Sequence, residues 1–460
     1  MNDVSLMIGL ETHVQLNTKT KAFCACKNPV NLSEEAEPNT LTCPVCLGLP
    51  GSKPTCNRRF VELASKVALA LGAKLAKDTF FSRKTYFYPD MSKNFQTTQY
   101  EVPLASGATL KILPDSKKDI RLRRIHMEED PAKLIHAGTH TLVDYNRAGI
   151  PLIEIVTEPD FRSPKEARGY LQKLAQILAY LGVYDPTSDA SIKTDANISI
   201  CGGERVELKN ITGTKEIERA LSYELLRQKN VLRRGAKVVQ ETRAWKPETG
   251  VSQALRTKET EEDYGYIFEP DLSRITTNDA FSKKISSEIP ELPDTRRARF
   301  IKQYKVSGKM AESLTSEKEI SELFELAAKT AKPDIAATWV GIVLAKTLNY
   351  NNLTMKSSGL KNDWVIELIH AFQKKEYSDQ TAEKILRKMV DDKCGYHVTV
   401  NKYNFPKLGG GANSSAMAKK VVSANKKAVD DYKAGEAKSL NFLIGQLIRE
   451  SKGSIDAEGA

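Results

Sequence analysis

Over the first 290 residues, apolar and polar positions alternate in short runs cut by Gly and Pro, the period-two pattern of half-buried strands. In Ile8-Gly-Leu-Glu-Thr-His-Val-Gln-Leu16, the residues Ile8, Leu10, Val14 and Leu16 fall on one side and Glu11, His13 and Gln15 on the other. Asp189–Ile200 and Arg205–Ile211 alternate in the same way and read as paired strands. Their polar positions Lys193, Asp195, Asn197, Glu207, Lys209 and Asn210 suit either a solvated hairpin face or the wall of a substrate pocket. One helix is well marked between strands. Ser163 is placed to cap it, Pro164 to start it, Glu166 to complete a capping box, and Ala167, Leu171, Leu174, Leu178 and Leu181 to form its apolar stripe before Gly182.

Pro290 and Pro293 mark a boundary, and beyond them the period becomes helical. A second break falls at Asn404-Phe-Pro-Lys-Leu-Gly-Gly-Gly411, whose glycines read as a linker. Helical patterning resumes after it, with Leu440, Leu443, Ile444, Leu447 and Ile448 on one face. The pattern therefore predicts an α+β protein: a strand-rich domain over 1–294, an all-helical domain over 295–403 and a small helical tail over 404–460. A length of 460 residues is ample for two to four domains.

The balance of 69 Lys and Arg against 58 Asp and Glu, a formal charge of +11, favours a polyanionic partner. The charges are interspersed, so part of this is an ordinary mixed surface. Seven cysteines, an odd number, argue for a reducing cytoplasm over a disulfide scaffold. The first residues lack a secretory pattern, and no run of apolar residues is long enough to cross a membrane.

Four of the cysteines are the sharpest local motif. Cys24 and Cys26 are followed, after sixteen intervening residues, by Cys43 and Cys46, and paired short spacings of this kind read as a zinc knuckle. With every ligand position filled by sulfur, such an ion braces the fold and leaves no site for water or substrate.

Other polar residues are harder to explain by surface alone. Glu11 and His13, two apart on one strand face, are a donor pair suited to a hard or borderline divalent cation. His126, Glu128, Glu129 and Asp130 follow a basic run, and Glu154 interrupts the otherwise apolar Pro151–Val156. A carboxylate there is costly unless it binds a metal or pairs with a cation such as arginine. Between residues 81 and 95, Arg83, Lys84 and Lys93 can meet phosphate, while Tyr86, Phe87 and Tyr88 can stack on a base. No Walker or kinase glycine loop is present, so ATP use requires another architecture.

In order along nearly the whole chain, these segments resemble the B subunit of the aspartyl/glutamyl-tRNA amidotransferases. The resemblance rests on Ile8–Leu16, the knuckle with Cys43-Pro-Val-Cys-Leu-Gly-Leu-Pro-Gly51, Arg83–Asp90, Gln99-Tyr100, His126-Met-Glu-Glu-Asp130, Asp144–Glu154, Glu207-Leu-Lys-Asn210 and Arg256–Tyr264. It implies a cradle resembling glutamine synthetase, followed by a helical domain and a tail that touches tRNA. It also implies ATP-dependent activation of the side-chain carboxylate of glutamyl or aspartyl groups mischarged on tRNA. Ammonia released from glutamine on a partner A subunit then gives the amide, in a heterotrimer with a C subunit. By the same resemblance Glu11, His13, Glu128 and Glu154 match magnesium-site positions, and Lys84 and Lys93 match gate positions along an ammonia channel, paired with Glu128. Arg83, Tyr86, Tyr88, Lys193, Asp195, Asn197, Glu207 and Lys209 then line the substrate or ATP pocket. Lys193 stands where the family usually carries Arg, losing a bidentate contact. The rival reading is a catalytically silent zinc-containing tRNA-binding protein, for which Glu11, His13, Glu128 and Glu154 have no use.

Overall fold

The computed structural model describes residues 5–32, 34–112, 119–184, 192–200, 202–257, 265–408 and 414–450. Most of the Arg256–Tyr264 motif, the first residues of the Asp189–Ile200 stretch, the Gly409–Gly411 linker and the last ten residues lie outside them. The chain divides into two compact units, Met1–Leu292 and Pro293–Ala460.

The first unit is built on a nine-stranded sheet. Numbering only its strands, these are β1 (Leu6–Gln15), β2 (Lys74–Leu75), β3 (Ala105–Lys111), β4 (Asp119–Glu129), β5 (Pro151–Thr157), β6 (Ile192–Ile200), β7 (Val206–Thr212), β8 (Glu241–Lys246) and β9 (Val251–Thr257). Their order is β9-β8-β7-β6-β1-β5-β4-β3-β2, antiparallel except for the β7–β8 pair. The first strand of the chain thus lies at the centre, with later strands added on both sides.

The alternation read from the sequence sets the two faces. Ile8, Leu10, Val14, Ile153, Ile155, Ala196 and Ile198 are buried on one face with the apolar stripes of helices α1 (Arg58–Ala70), α2 (Pro164–Leu181) and α3 (Thr214–Arg233). Each Val, Leu or Ile side chain among these contributes roughly 1.5–3 kcal/mol on burial. Helix α2 is closed as its sequence suggests: Ser163 Oγ accepts from the Glu166 amide, and Gly182 ends it at φ 65°. The Glu166 carboxylate reaches back one residue beyond the cap, to the Arg162 amide at 2.7 Å. The other sheet face keeps its polar residues, and the site forms there.

The second unit has a core of its own. Helices from Pro293–Tyr304 to Tyr396–Tyr403 bury Phe300, Leu323, Phe324, Trp339, Leu368 and Leu386. A π-helical turn over Trp339–Leu344 interrupts them where Gly341 lies close to Met310; a Cβ at Gly341 would meet its sulfur at 2.8 Å. Three short helices, Ser414–Ala424, Lys426–Lys433 and Lys438–Glu450, follow with a separate small core of Val421 and Leu447, against which Leu443 packs. Leu440, expected in the same stripe, is 40% exposed. So small a core covers only the middle of the stripe.

Candidate active site

Three neighbouring antiparallel strands assemble the centre. His13 of β1 stands opposite Glu154 of β5, and Glu154 stands opposite His126 of β4. Directly opposed residues share a face, and Glu128 follows His126 by two, so all four side chains project to the polar side. One ligand atom from each of His13, Glu128 and Glu154 lies within 4.8 Å of the others. His13 Nε2 is 3.5 Å from Glu128 Oε1 and 3.7 Å from Glu154 Oε2. On the other side, His126 Nε2 is 2.9 Å from Glu154 Oε2 and 3.6 Å from Glu128 Oε2. Thr98 Oγ1 donates to Glu128 Oε2 at 3.4 Å.

Burial makes this arrangement electrostatically strong. Desolvation alone would raise the Glu154 carboxyl, but the adjoining His126 reverses this and holds it well below the usual carboxylate range. Desolvation likewise works against the His126 imidazolium, and Glu154 with Glu128 overrides it, pushing the ring up to about 9. His13 is also raised against the effect of burial by the same two carboxylates. In the metal-free site the charges therefore stabilise one another; with the His13 proton displaced, two carboxylates and one imidazole nitrogen form a donor set for a hard or borderline divalent cation.

Glu11 sits two residues before His13 on the same face. Its carboxylate accepts from Asn197 Nδ2 at 2.9 Å, and burial, then Glu154, Asp195 and Glu207, raise its pKa. Of the expected polar set of β6 and β7, Asp195, Asn197, Glu207 and Lys209 lie alongside, and the Asn210 side chain is not among those described. Lys209 Nζ is 3.3 Å from Asp195 and 3.7 Å from Glu207, Thr242 Oγ1 donates to Glu207 at 2.9 Å, and Lys193 stands opposite His13 in register. Beside Glu11 opens a cavity of about 380 Å³, lined by Asn197, Ser199, Glu158 and the two arginines Arg123 and Arg205.

The segment from 81 to 95 is less uniform than its composition suggests. Arg83 is engaged by Glu269 at 2.7 and 2.8 Å and by Asp271 at 3.2 Å, and it stacks 4.5 Å from the Phe95 ring. Its fork is thus occupied within the fold. Tyr86 is half-buried, Tyr88 is exposed, and Lys84 lies on the short strand Ser82–Thr85 opposite Tyr266. Lys93 pairs with Glu129, not with Glu128, and also reaches Thr97 at 3.2 Å. Neighbouring residues of a strand point to opposite faces, so choosing between Glu128 and Glu129 decides which face carries the ion pair.

The cysteines form the second cluster. Cys24, Cys26, Cys43 and Cys46 offer sulfurs that all lie within 4.8 Å of one another, with Cys43 and Cys46 at 3.9 Å. Two chain turns hold them: Lys21 N donates to Cys26 O at 2.9 Å, and Cys43 N donates to Cys46 Sγ at 3.1 Å. Four convergent thiols fit a tetrahedral soft-metal site.

Sequence reasoning missed the roles of three residues at these centres. His126 was singled out with Glu128, Glu129 and Asp130, but its place opposite Glu154 follows only from strand register. Glu129 lost its role to its neighbour. Lys21 had no distinguishing signal, because a lysine is by default a surface residue.

A β-rich unit with a polar, ligand-rich centre on one sheet face, followed along the chain by a helical unit and a tail, defines a class of mixed α+β protein with an appended helical region. Residues 6–283 match the GatB/GatE catalytic domain family, and residues 322–460 match the GatB domain family. The aspartyl/glutamyl-tRNA(Asn/Gln) amidotransferase B subunit of Methanococcoides burtonii is 44% identical over 466 residues, covering 100% of this chain and 97% of that protein. The B subunits of Methanospirillum hungatei and Methanosarcina barkeri are each 45% identical, covering 99% and 100% of this chain and 97% of each relative. The chain belongs to the B-subunit family of these amidotransferases.

Proposed function

We propose that this chain is the activating component of a glutamine-dependent amidotransferase that uses ATP and magnesium to phosphorylate the side-chain carboxylate of Glu or Asp mischarged on tRNA. The observation that carries this reading is the close grouping of His13, Glu128 and Glu154 on the polar face of a sheet, with Glu11 on the same face. A carboxylate is a poor acyl donor because its oxygen leaves badly, and phosphorylation converts that oxygen into a good leaving group. Magnesium held by His13, Glu128 and Glu154, with Glu11 beside them, would neutralise charge on the phosphoryl group in flight. His126 keeps Glu154 charged and oriented, and Asn197 fixes Glu11. The cavity beside Glu11 presents Arg123 and Arg205 to an anionic substrate.

Ammonia is supplied from glutamine by an A subunit, in a cytoplasmic heterotrimer with a C subunit. The partly buried Lys93–Glu129 pair is suited to close an ammonia path and open it by separating. Zinc in the knuckle braces the fold, and the tail, with ten Lys and Arg against six Asp and Glu from residue 401 onward, engages tRNA. The test is reconstitution with the partner subunits, labelled ATP, magnesium, glutamine and misacylated tRNA. The reading expects ADP and amidated aminoacyl-tRNA, and absence of both with active partners overturns it. Running Glu-tRNA and Asp-tRNA separately shows which is accepted.

A further inference from the structure

Lys21 is fully buried, at 0% exposure, and no carboxylate among the described residues pairs with it. Its ammonium instead donates to Cys46 Sγ at 3.7 Å and to the Tyr145 carbonyl at 3.2 Å. An interior ammonium facing one carbonyl and a single sulfur, with no carboxylate partner, has little compensation of its own. Facing a metal thiolate it is well placed, because four thiolates around one divalent ion leave a net negative charge inside the protein. Hydrogen bonds to ligand atoms from outside the coordination shell tune such sites.

We propose that Lys21 is the built-in counter-cation of the cysteine knuckle, donating an N–H···S hydrogen bond to Cys46 and offsetting the charge of a zinc tetrathiolate. The inference rests on the zinc reading of the knuckle and is independent of the transamidation reading. The geometry gives Lys21 a second task. Through Tyr145 O, and through the amide of Ala22 to Gly149 O at 2.8 Å, it ties the knuckle to the loop that runs into Pro151 and Glu154. Gly149 is at φ +84°, and a Cβ there would touch Lys21 Cδ at 3.5 Å and Cys46 Cβ at 3.8 Å. The lysine stem and the thiolate thus pack on the same turn.

The experiment compares full-length wild type with Lys21→Met, each zinc-loaded and each stripped by chelator. In the loaded state the Met variant is expected to hold zinc about tenfold or more weakly in competition with a chromogenic chelator, and to melt lower. In the stripped state the melting difference is expected to shrink, because the tetrathiolate charge that Lys21 offsets is then gone. A role in packing alone would give the same difference in both states and would overturn the proposal, as would equal zinc retention. Cobalt substitution adds a spectroscopic readout: loss of the N–H···S contact should move the thiolate-to-cobalt charge-transfer band, and an unmoved band counts against the contact. Lys21→Gln, which keeps a neutral N–H, is expected to fall between the two, and it replaces the Met variant in both comparisons if that variant does not fold. Wild type that takes up neither zinc nor cobalt removes the zinc reading itself. Wild type that binds zinc, but no more tightly than the variants do, removes only the counter-cation.

Discussion

The cysteine knuckle and the His13 centre stand in the same unit, and each gathers metal-ligating side chains within 4.8 Å, yet they are built in opposite ways. The knuckle takes its four soft donors from two turns close together in the chain, between residues 24 and 46. The His13 centre takes hard and borderline donors from residues 13, 128 and 154, which only the antiparallel register of three strands brings together. The first uses all its positions for protein ligands; the second has three, on a polar sheet face. A closed thiolate set suits a brace, and an incomplete oxygen-rich set suits chemistry on a phosphorylated substrate.

The sharpest way to break this contrast is to neutralise one site and read the reaction. Glu154→Gln should lower ADP formation by about a thousandfold, since it removes an anionic ligand and leaves His126 without its partner. Glutaminase activity in the partner should persist. Near-normal turnover in Glu154→Gln would end the assignment of chemistry to this centre. The next effect is at the knuckle. Stripping zinc should lower the melting temperature of the first unit by several degrees, since metal binding is linked to folding. ADP formation at saturating magnesium, measured below that transition, should fall far less than in Glu154→Gln. If stripping and Glu154→Gln cost turnover equally, the division into brace and reaction centre fails.

The same contrast explains what the sequence could convey. The knuckle was readable because its ligands are neighbours in the chain and their spacing is itself the geometry. The faces of β1 were readable because alternation fixes which side each residue takes, so Glu11 and His13 were expected together and are found on one face. Glu154 was readable as an anomaly, a carboxylate inside an apolar strand. Its partner was not, because register is a long-range property set by strands 28 to 141 residues away. The exchange of Glu129 for Glu128 has the same origin: a one-residue step on a strand changes face and so changes role. Lys21 and Arg83 show a further limit, since side-chain type does not reveal that a lysine is fully buried or that an arginine is already held by Glu269.

His126 offers a test of intermediate size. Its substitution by Ala should destabilise the metal-free protein by about 3–5 kcal/mol, because Glu154 is left buried without its counter-charge. His126→Gln, which returns an N–H near the Nε2 position, should recover part of this. The pH dependence has a definite sign. The folded-state value of about 9 lies above the ordinary 6.5, so the stabilising contribution is complete below about pH 6.5 and is lost as pH rises through about 9. Its size is on the order of 3 kcal/mol. Thermal melts of metal-free wild type and His126→Ala from pH 6 to pH 10 should therefore converge; a constant separation would show that the ring acts by packing and not by charge. The knuckle variants should show no such convergence tied to His126.

The finest test concerns one hydrogen bond. Thr98 Oγ1 donates to Glu128 Oε2 at 3.4 Å, a long contact to a charged acceptor, and Thr98 is buried. Thr98→Val keeps the shape and removes the donor; because the contact is long, its expected cost is about 1 kcal/mol, that of an ordinary hydrogen bond. If Glu128 is a ligand, losing the donor frees one of its oxygens to rotate and weakens manganese binding about fivefold, readable by electron paramagnetic resonance titration. Zinc retention at the knuckle should not change, because none of its sulfur contacts involves Thr98. A shift in zinc retention without one in manganese affinity would mean that the two centres communicate through this strand, and that their separation into brace and reaction site is incomplete.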